Sequence, residues 1–162
     1  MEMFGLVLLI LFGGVAFIAL LAAVHLLLPG AVDKARQKLE VALGKSFLLG
    51  LVDLLFFGAL VVVLFWLGQM IGGVVAGIFA FLGLLLLLAL GVFALNGLAA
   101  LASLLGERIG EAKSPFRRDL RGGLLLSLAG LTPYIGWYLF TPVVLCMALG
   151  ASILALFQRK TA

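Results

Sequence analysis

The sequence predicts an all-α integral membrane protein. Three observations carry that class: 65% of the 162 residues are hydrophobic, only 11% are charged, and the apolar runs are continuous rather than alternating. A soluble domain is about half apolar and about a quarter charged. Lipid offers no partner to backbone N–H and C=O groups, so only helices or closed barrels cross it, and unbroken apolar runs select helices. A mean hydropathy of +1.36 agrees.

The charges predict the topology. All eleven Lys and Arg residues fall in three clusters: Lys34, Arg36, Lys38 and Lys45; Arg108, Lys113, Arg117, Arg118 and Arg121; Arg159 and Lys160. Short loops rich in Lys and Arg stay cytoplasmic, so the chain between two clusters must cross the membrane and return. The expected order is one N-out spanning helix (3–28) followed by two hairpins (46–106 and 122–158), each led by a basic interfacial helix (31–45 and 107–121). That makes about five membrane helices in a single polytopic domain, the fourth short or re-entrant. Both ends of each hairpin lie inside, giving a bacterial inner-membrane protein with its N-terminus outside and its C-terminus cytoplasmic. Glu2 is the only charge before the first run, which is too long and lacks the basic start of a cleavable signal.

Each element has a local reason. Met3–Leu28 is long enough to span ~30 Å with tilt, and Pro29-Gly30 stops it. Residues 31–44 alternate apolar Val32, Ala35, Leu39, Val41, Ala42 and Leu43 with polar Asp33, Lys34, Arg36, Gln37, Lys38 and Glu40, the pattern of a helix lying at the interface. The apolar stretch from Ser46 to Gly106 would reach ~90 Å as one helix, so two crossings with a turn at Gln69–Gly73 are expected, and Trp66 then sits at the outer interface. Ser114-Pro115 pairs a capping hydroxyl with a proline at the first helical position. The helix it starts carries Arg117, Arg118 and Arg121 at headgroup level. Leu124–Leu131 is a short arm, the hairpin turn falls at Pro133 and Gly136, and Trp137–Phe157 is the returning helix. Trp137 and Tyr138 join Trp66 as interfacial aromatics.

The basic amphipathic helix, apolar arm, Gly- or Pro-marked turn and returning helix occur twice in the same orientation, unlike the inverted repeats of many transporters. Two stretches carry a family likeness. The first is Leu28-Pro29-Gly30-Ala31-Val32 with Gly44-Lys45-Ser46-Phe47-Leu48-Leu49-Gly50-Leu51. The second is Leu131-Thr132-Pro133-Tyr134-Ile135-Gly136-Trp137 with Leu149-Gly150-Ala151. Over residues 20–160 the chain resembles a family of bacterial polytopic membrane domains often fused to, or found alongside, polymer-forming cytoskeletal proteins of the bactofilin type. The resemblance implies a membrane domain without catalytic residues; the sequence carries no β-helical polymer-forming module of its own.

Few polar residues lie inside the runs. Asp53 and Asn96 fall at similar depth in the first hairpin, where they form either an intramembrane polar clamp or separate interfacial contacts, Asp53 reaching water or Lys45. His25, the only histidine, is read first as a satisfied interfacial residue and second as a weak haem or pigment ligand. Gly72, Gly73, Gly77, Gly83, Gly91, Gly130 and Gly150 are the expected helix-packing glycines, within the chain or between subunits, with Ser127 in the same part. Cys146 reads as a small buried residue, and no Cys/His cluster suggests a metal.

Function follows from what is scarce. No nucleophile–base pair, phosphate loop or metal spacing appears, so the expectation is no enzyme and no cofactor. The basic clusters point to anionic lipid headgroups rather than nucleic acid. The leading expectation is a bacterial membrane scaffold or accessory subunit, a homo-oligomer or part of a larger complex. The first alternative is a small channel or transporter with Asp53 and Asn96 in a polar pathway; the second is a haem- or pigment-binding subunit using His25.

Overall fold

A computed structural model describes residues 2–110, 114–132 and 134–157, and every regular element among them is helical. Helix α1 covers Glu2–Leu27, α2 Pro29–Ile71, α3 Gly73–Arg108, α4 Pro115–Leu131 and α5 Thr141–Leu156, with a π-helical segment at Ile135–Phe140 before α5. Four segments are long and apolar enough to cross a membrane: Leu8–Leu27, Pro29–Ile71, Gly73–Arg108 and Gly136–Leu156.

Pro29 begins a helix rather than only ending one. Leu28 breaks the chain at φ −130°, ψ 52°, and Pro29 takes the first helical position, where its missing N–H costs nothing. The interfacial helix is the first part of α2, and it joins the span through a kink at Ala42 (φ −144°, ψ 50°). Its inner face is Val32, Ala35 and Leu39, all fully buried. Val41 is exposed although it was expected among the apolar positions, because it lies half a helical turn away from Val32. Leu43 also faces outward, since the kink intervenes.

The first turn is at Gly72 and Gly73, whose φ values of 70° and 61° suit residues without a Cβ. The second hairpin departs from expectation. Its first arm is continuous with the helix that starts at Pro115, as the Ser114 cap predicts, but its second arm is a π-helical turn leading into α5 rather than one regular helix from Trp137. Pro142 explains the change. Lacking an N–H, and crowding the carbonyl of Tyr138 four residues back, it forces the preceding turn to widen. The Thr141 amide and hydroxyl both donate to Gly136 O, the hydroxyl at 2.7 Å. Gly136 thus lies in the first turn of the π-helical segment, packed on the Ala129 and Gly130 carbonyls, and the expected turn residue Pro133 lies outside the described residues.

The two arms of this hairpin do not make an extended contact with each other. Helix α4 packs on α3 and α1, whereas α5 packs on α2 and α3. Glycines set these crossings. A Cβ on Gly50 would overlap the Cys146 carbonyl and sit 2.8 Å from Gly150 N; one on Gly150 would overlap the Ser46 carbonyl and sit 2.8 Å from Gly50 N. Gly97 meets Ala148 in the same way, Gly106 meets Arg118, and Gly122 meets Ala102. Of the glycines expected to pack, Gly150 does and Gly83 lies under the Phe65 ring, while Gly77, Gly91 and Gly130 face open space with no atom within 4 Å. Ser152 Oγ donates to Phe93 O at 2.8 Å, an added bond between α5 and α3.

Residues Asn96–Leu104 of α3 are buried without a break, so this half of α3 is the axis of the bundle. Gly50→Leu or Gly150→Leu is expected to destabilise by about 1–3 kcal/mol or more, because backbone must move, whereas Gly130→Leu costs little. Thermal unfolding in mild detergent, followed by tryptophan fluorescence, checks the difference.

Candidate functional site

The polar chemistry of the described chain gathers where the end of α1 meets the start of α4. Ser114 caps α4, its hydroxyl accepting from the Arg117 amide at 3.4 Å, and Gly122 lets α4 lie directly on α3. Ile18 of α1 rests over Gly123. These contacts bring the second turn of α4 against the last turn of α1. His25 Nδ1 lies 2.8 Å from Asp119 Oδ2, with the two side chains only 12% and 7% exposed. Arg118 Nε approaches Asp119 Oδ1 at 3.8 Å, too far for a hydrogen bond. Ser103 of α3 faces the same carboxylate without completing a well-aligned hydrogen bond.

Burial pushes the Asp119 carboxyl above its ordinary range, and His25, Arg118 and Ser103 each offset part of that rise. A cavity of about 530 Å³ adjoins the pair, lined by His25, Asp33, Phe116, Arg118 and Asp119 among others. A second, larger cleft of about 850 Å³ lies between α1, α4 and the π-helical segment. It is lined mostly by apolar and aromatic side chains, Phe17, Trp137 and Tyr138 among them, with Ser127 Oγ buried and unpartnered in its wall.

The expected site residues are distributed as follows. No hydrogen bond joins Asp53 to Asn96: Asp53 is half-buried, and the buried Asn96 Oδ1 has no partner among the described residues. The direct clamp is therefore not formed. Two of the cations expected at lipid headgroups are turned into the protein. Arg36 pairs with Glu40 at 3.1 Å and with Glu107 at the end of α3, and Arg118 faces Asp119. Lys34, Lys45, Arg117 and Arg121 are exposed, Lys38 is half-exposed, and Trp66, Trp137 and Tyr138 are exposed.

Asp119 was missed in the sequence, and Ser103 was legible only as a polar residue that could line a pathway, not as a neighbour of that carboxylate. Asp119 sits inside Arg117-Arg118-Asp119-Leu120-Arg121, where one acid among arginines reads as a solvated local pair. Its true partner is remote in sequence, and only the α1–α4 packing joins them. The glycine crossings did leave a signal: Ser46/Gly50, Ala102/Gly106 and Cys146/Gly150 are small pairs at i, i+4. Among the described residues no group of three or more His, Cys, Asp or Glu side chains is placed to hold a metal. No protein-family model, curated protein or solved structure matches the chain.

The raised Asp119 value fixes a sign. Folding favours the neutral acid, so its contribution to stability is full below the unfolded value and is lost as pH rises through the folded one. Thermal midpoints in detergent are expected to fall across that acid-side window, and Asp119→Asn removes the fall. His25→Ala, which removes the neighbour that most offsets the effect of burial, moves it to higher pH.

Proposed function

We propose that this chain is a non-catalytic scaffold or accessory subunit of the bacterial inner membrane that self-associates through the outer part of its α2–α3 hairpin. The observation that carries this reading is a stripe on α3. Gly77, Phe81, Leu84, Leu88 and Gly91 recur at spacings of four and three residues and are all exposed. The residues of α3 that meet α2 form a different stripe, including Gly68's neighbour Ala76, and Gly83 beneath Phe65. A 4–3 spacing is the seam of a left-handed helix pair, and open glycines at both ends let a second backbone approach.

Length supports the same reading. The 36 residues of α3 rise ~54 Å, against ~30 Å of bilayer hydrocarbon. Helix α5 covers the hairpin on the side of Gly50 and Gly97, and from Val62 to Val92 only Gly68 and Gly83 are buried, each against the other arm of the hairpin. Tilt and a neighbouring copy are the means of covering so long an apolar hairpin. On this reading the N-terminus is outside, the basic clusters are cytoplasmic, and α4 is the short fourth membrane helix of five. The likeness to domains that accompany bactofilin-type polymers fits a structural role.

Self-association is tested by cysteine cross-linking in native membranes, in a Cys146→Ala background. Phe81→Cys and Leu88→Cys should give covalent dimers, lost on adding Gly77→Ile; equal cross-linking at Val74→Cys would remove the reading. Topology is tested by a membrane-impermeant thiol reagent. Met70→Cys should label from outside and Lys45→Cys only after permeabilisation, and the reverse pattern would overturn the orientation.

A further inference from the structure

The cavity beside His25 and Asp119 has a composition that a scaffold does not need. Two carboxylates, Asp33 and Asp119, line it together with one guanidinium, Arg118, and one imidazole, His25. Among the described residues, Arg118 Nε and Asp119 Oδ1 are both buried without a hydrogen-bond partner. One is a donor lacking an acceptor and the other an acceptor lacking a donor. At 3.8 Å they do not satisfy each other. The Asp119 side chain, 7% exposed, lines the cavity, and its Oδ1 is a buried acceptor that neither Arg118 nor Ser103 completes, while His25 Nδ1, 2.8 Å from Oδ2, also lacks a well-aligned hydrogen bond.

A ligand that completes both groups must carry an anionic or polar oxygen for Arg118 and an N–H donor for Asp119. The position supplies the rest of the description. The cavity opens where the apolar run of α1 ends at Leu27, and Leu26 and Phe116 are exposed apolar side chains at its edge. Such a place holds a headgroup against charged walls while acyl chains run along the helix. We infer that this cavity binds the zwitterionic headgroup of a primary-amine phospholipid, phosphate toward Arg118 and ammonium toward Asp119 and Asp33.

The walls discriminate between headgroups. A choline headgroup has no N–H, so it leaves Asp119 Oδ1 without a donor. A glycerol headgroup brings a phosphate but no cation to face two carboxylates. The inference rests on the membrane reading of the chain but not on self-association, and an oligomer or a monomer can hold the lipid equally well.

The full chain, reconstituted with an equimolar mixture of phosphatidylethanolamine, phosphatidylcholine and phosphatidylglycerol, is extracted in mild detergent, and retained lipid is measured by native mass spectrometry. Phosphatidylethanolamine should be enriched about tenfold over phosphatidylcholine, the size of one charge-assisted hydrogen bond. Asp119→Asn should bring retention of the ethanolamine and choline lipids to parity, Arg118→Gln should lower retention of all three lipids, and Gln69→Ala, at the far turn, should leave retention unchanged. Asp33→Asn, at an exposed position where folding is not at risk, should give a partial loss. Equal retention of the ethanolamine and choline lipids, preference for phosphatidylglycerol, or a preference that survives both Asp119→Asn and Asp33→Asn would each overturn the inference.

Discussion

The fold depends on helix backbones touching one another without side chains between them. In lipid the solvent is as apolar as the side chains, so burying a leucine gains little, and close packing must supply the attraction instead. Gly50 against Gly150, Gly97 against Ala148, and Gly106 and Gly122 against the carbonyls of Arg118 and Ala102 are the points where this happens. All of them lie in the half of the bundle around Asn96–Gly106. That half of α3 is surrounded because α4 and α5 each meet it through a residue small enough to let a backbone in, while α5 meets α2 in the same way at Gly50 and Gly150.

This constraint explains the placement of the polar pair as well. Asp119 is three residues before Gly122, so seating Gly122 on Ala102 carries the carboxylate inward rather than into solvent. Once there, it is costly unless partnered. His25, at the end of α1, is the partner within reach, and the Ile18–Gly123 contact holds α1 close enough to offer it. The buried Asp119 is thus a consequence of where a glycine had to go, and the functional question is what else now faces it.

Element class and most boundaries were legible because they rest on long apolar runs and on Gly and Pro punctuation. Helix α1, the Gly72–Gly73 turn and the Ser114 cap follow from such local signals. The π-helical widening at Ile135–Phe140 was not read, although its local cause, Pro142, is plain in the sequence. What one strand of text cannot hold is which face of an apolar helix is inner. From Gly73 to Gly106 every position of α3 except Asn96 is apolar or small, so Gly77 and Gly97 look alike, yet one is open and the other is pressed on a backbone. The His25–Asp119 pair was hidden for a related reason: its members are separated by two complete hairpin arms, and charge clusters conceal a single acid.

The two halves of the α2–α3 hairpin therefore face different physical tasks with the same composition. Where neighbours surround α3, its small residues are used up within the chain, and polar groups such as Ser103 and Asp119 can be carried because protein lines their surroundings. Toward the Gly72–Gly73 turn the neighbours stop, and no charged residue occurs from Leu54 to Leu105. A segment whose side chains toward the turn are apolar or small, apart from Gln69, has only two ways to be specific: shape, or none. The open glycines at Gly77 and Gly91, set at the ends of a stripe of large side chains, are shape. Specificity by relief rather than by charge is what recognition within the hydrocarbon permits, and on the lipid reading proposed above the charged, buried pocket at His25 and Asp119 meets headgroups that supply charges to match.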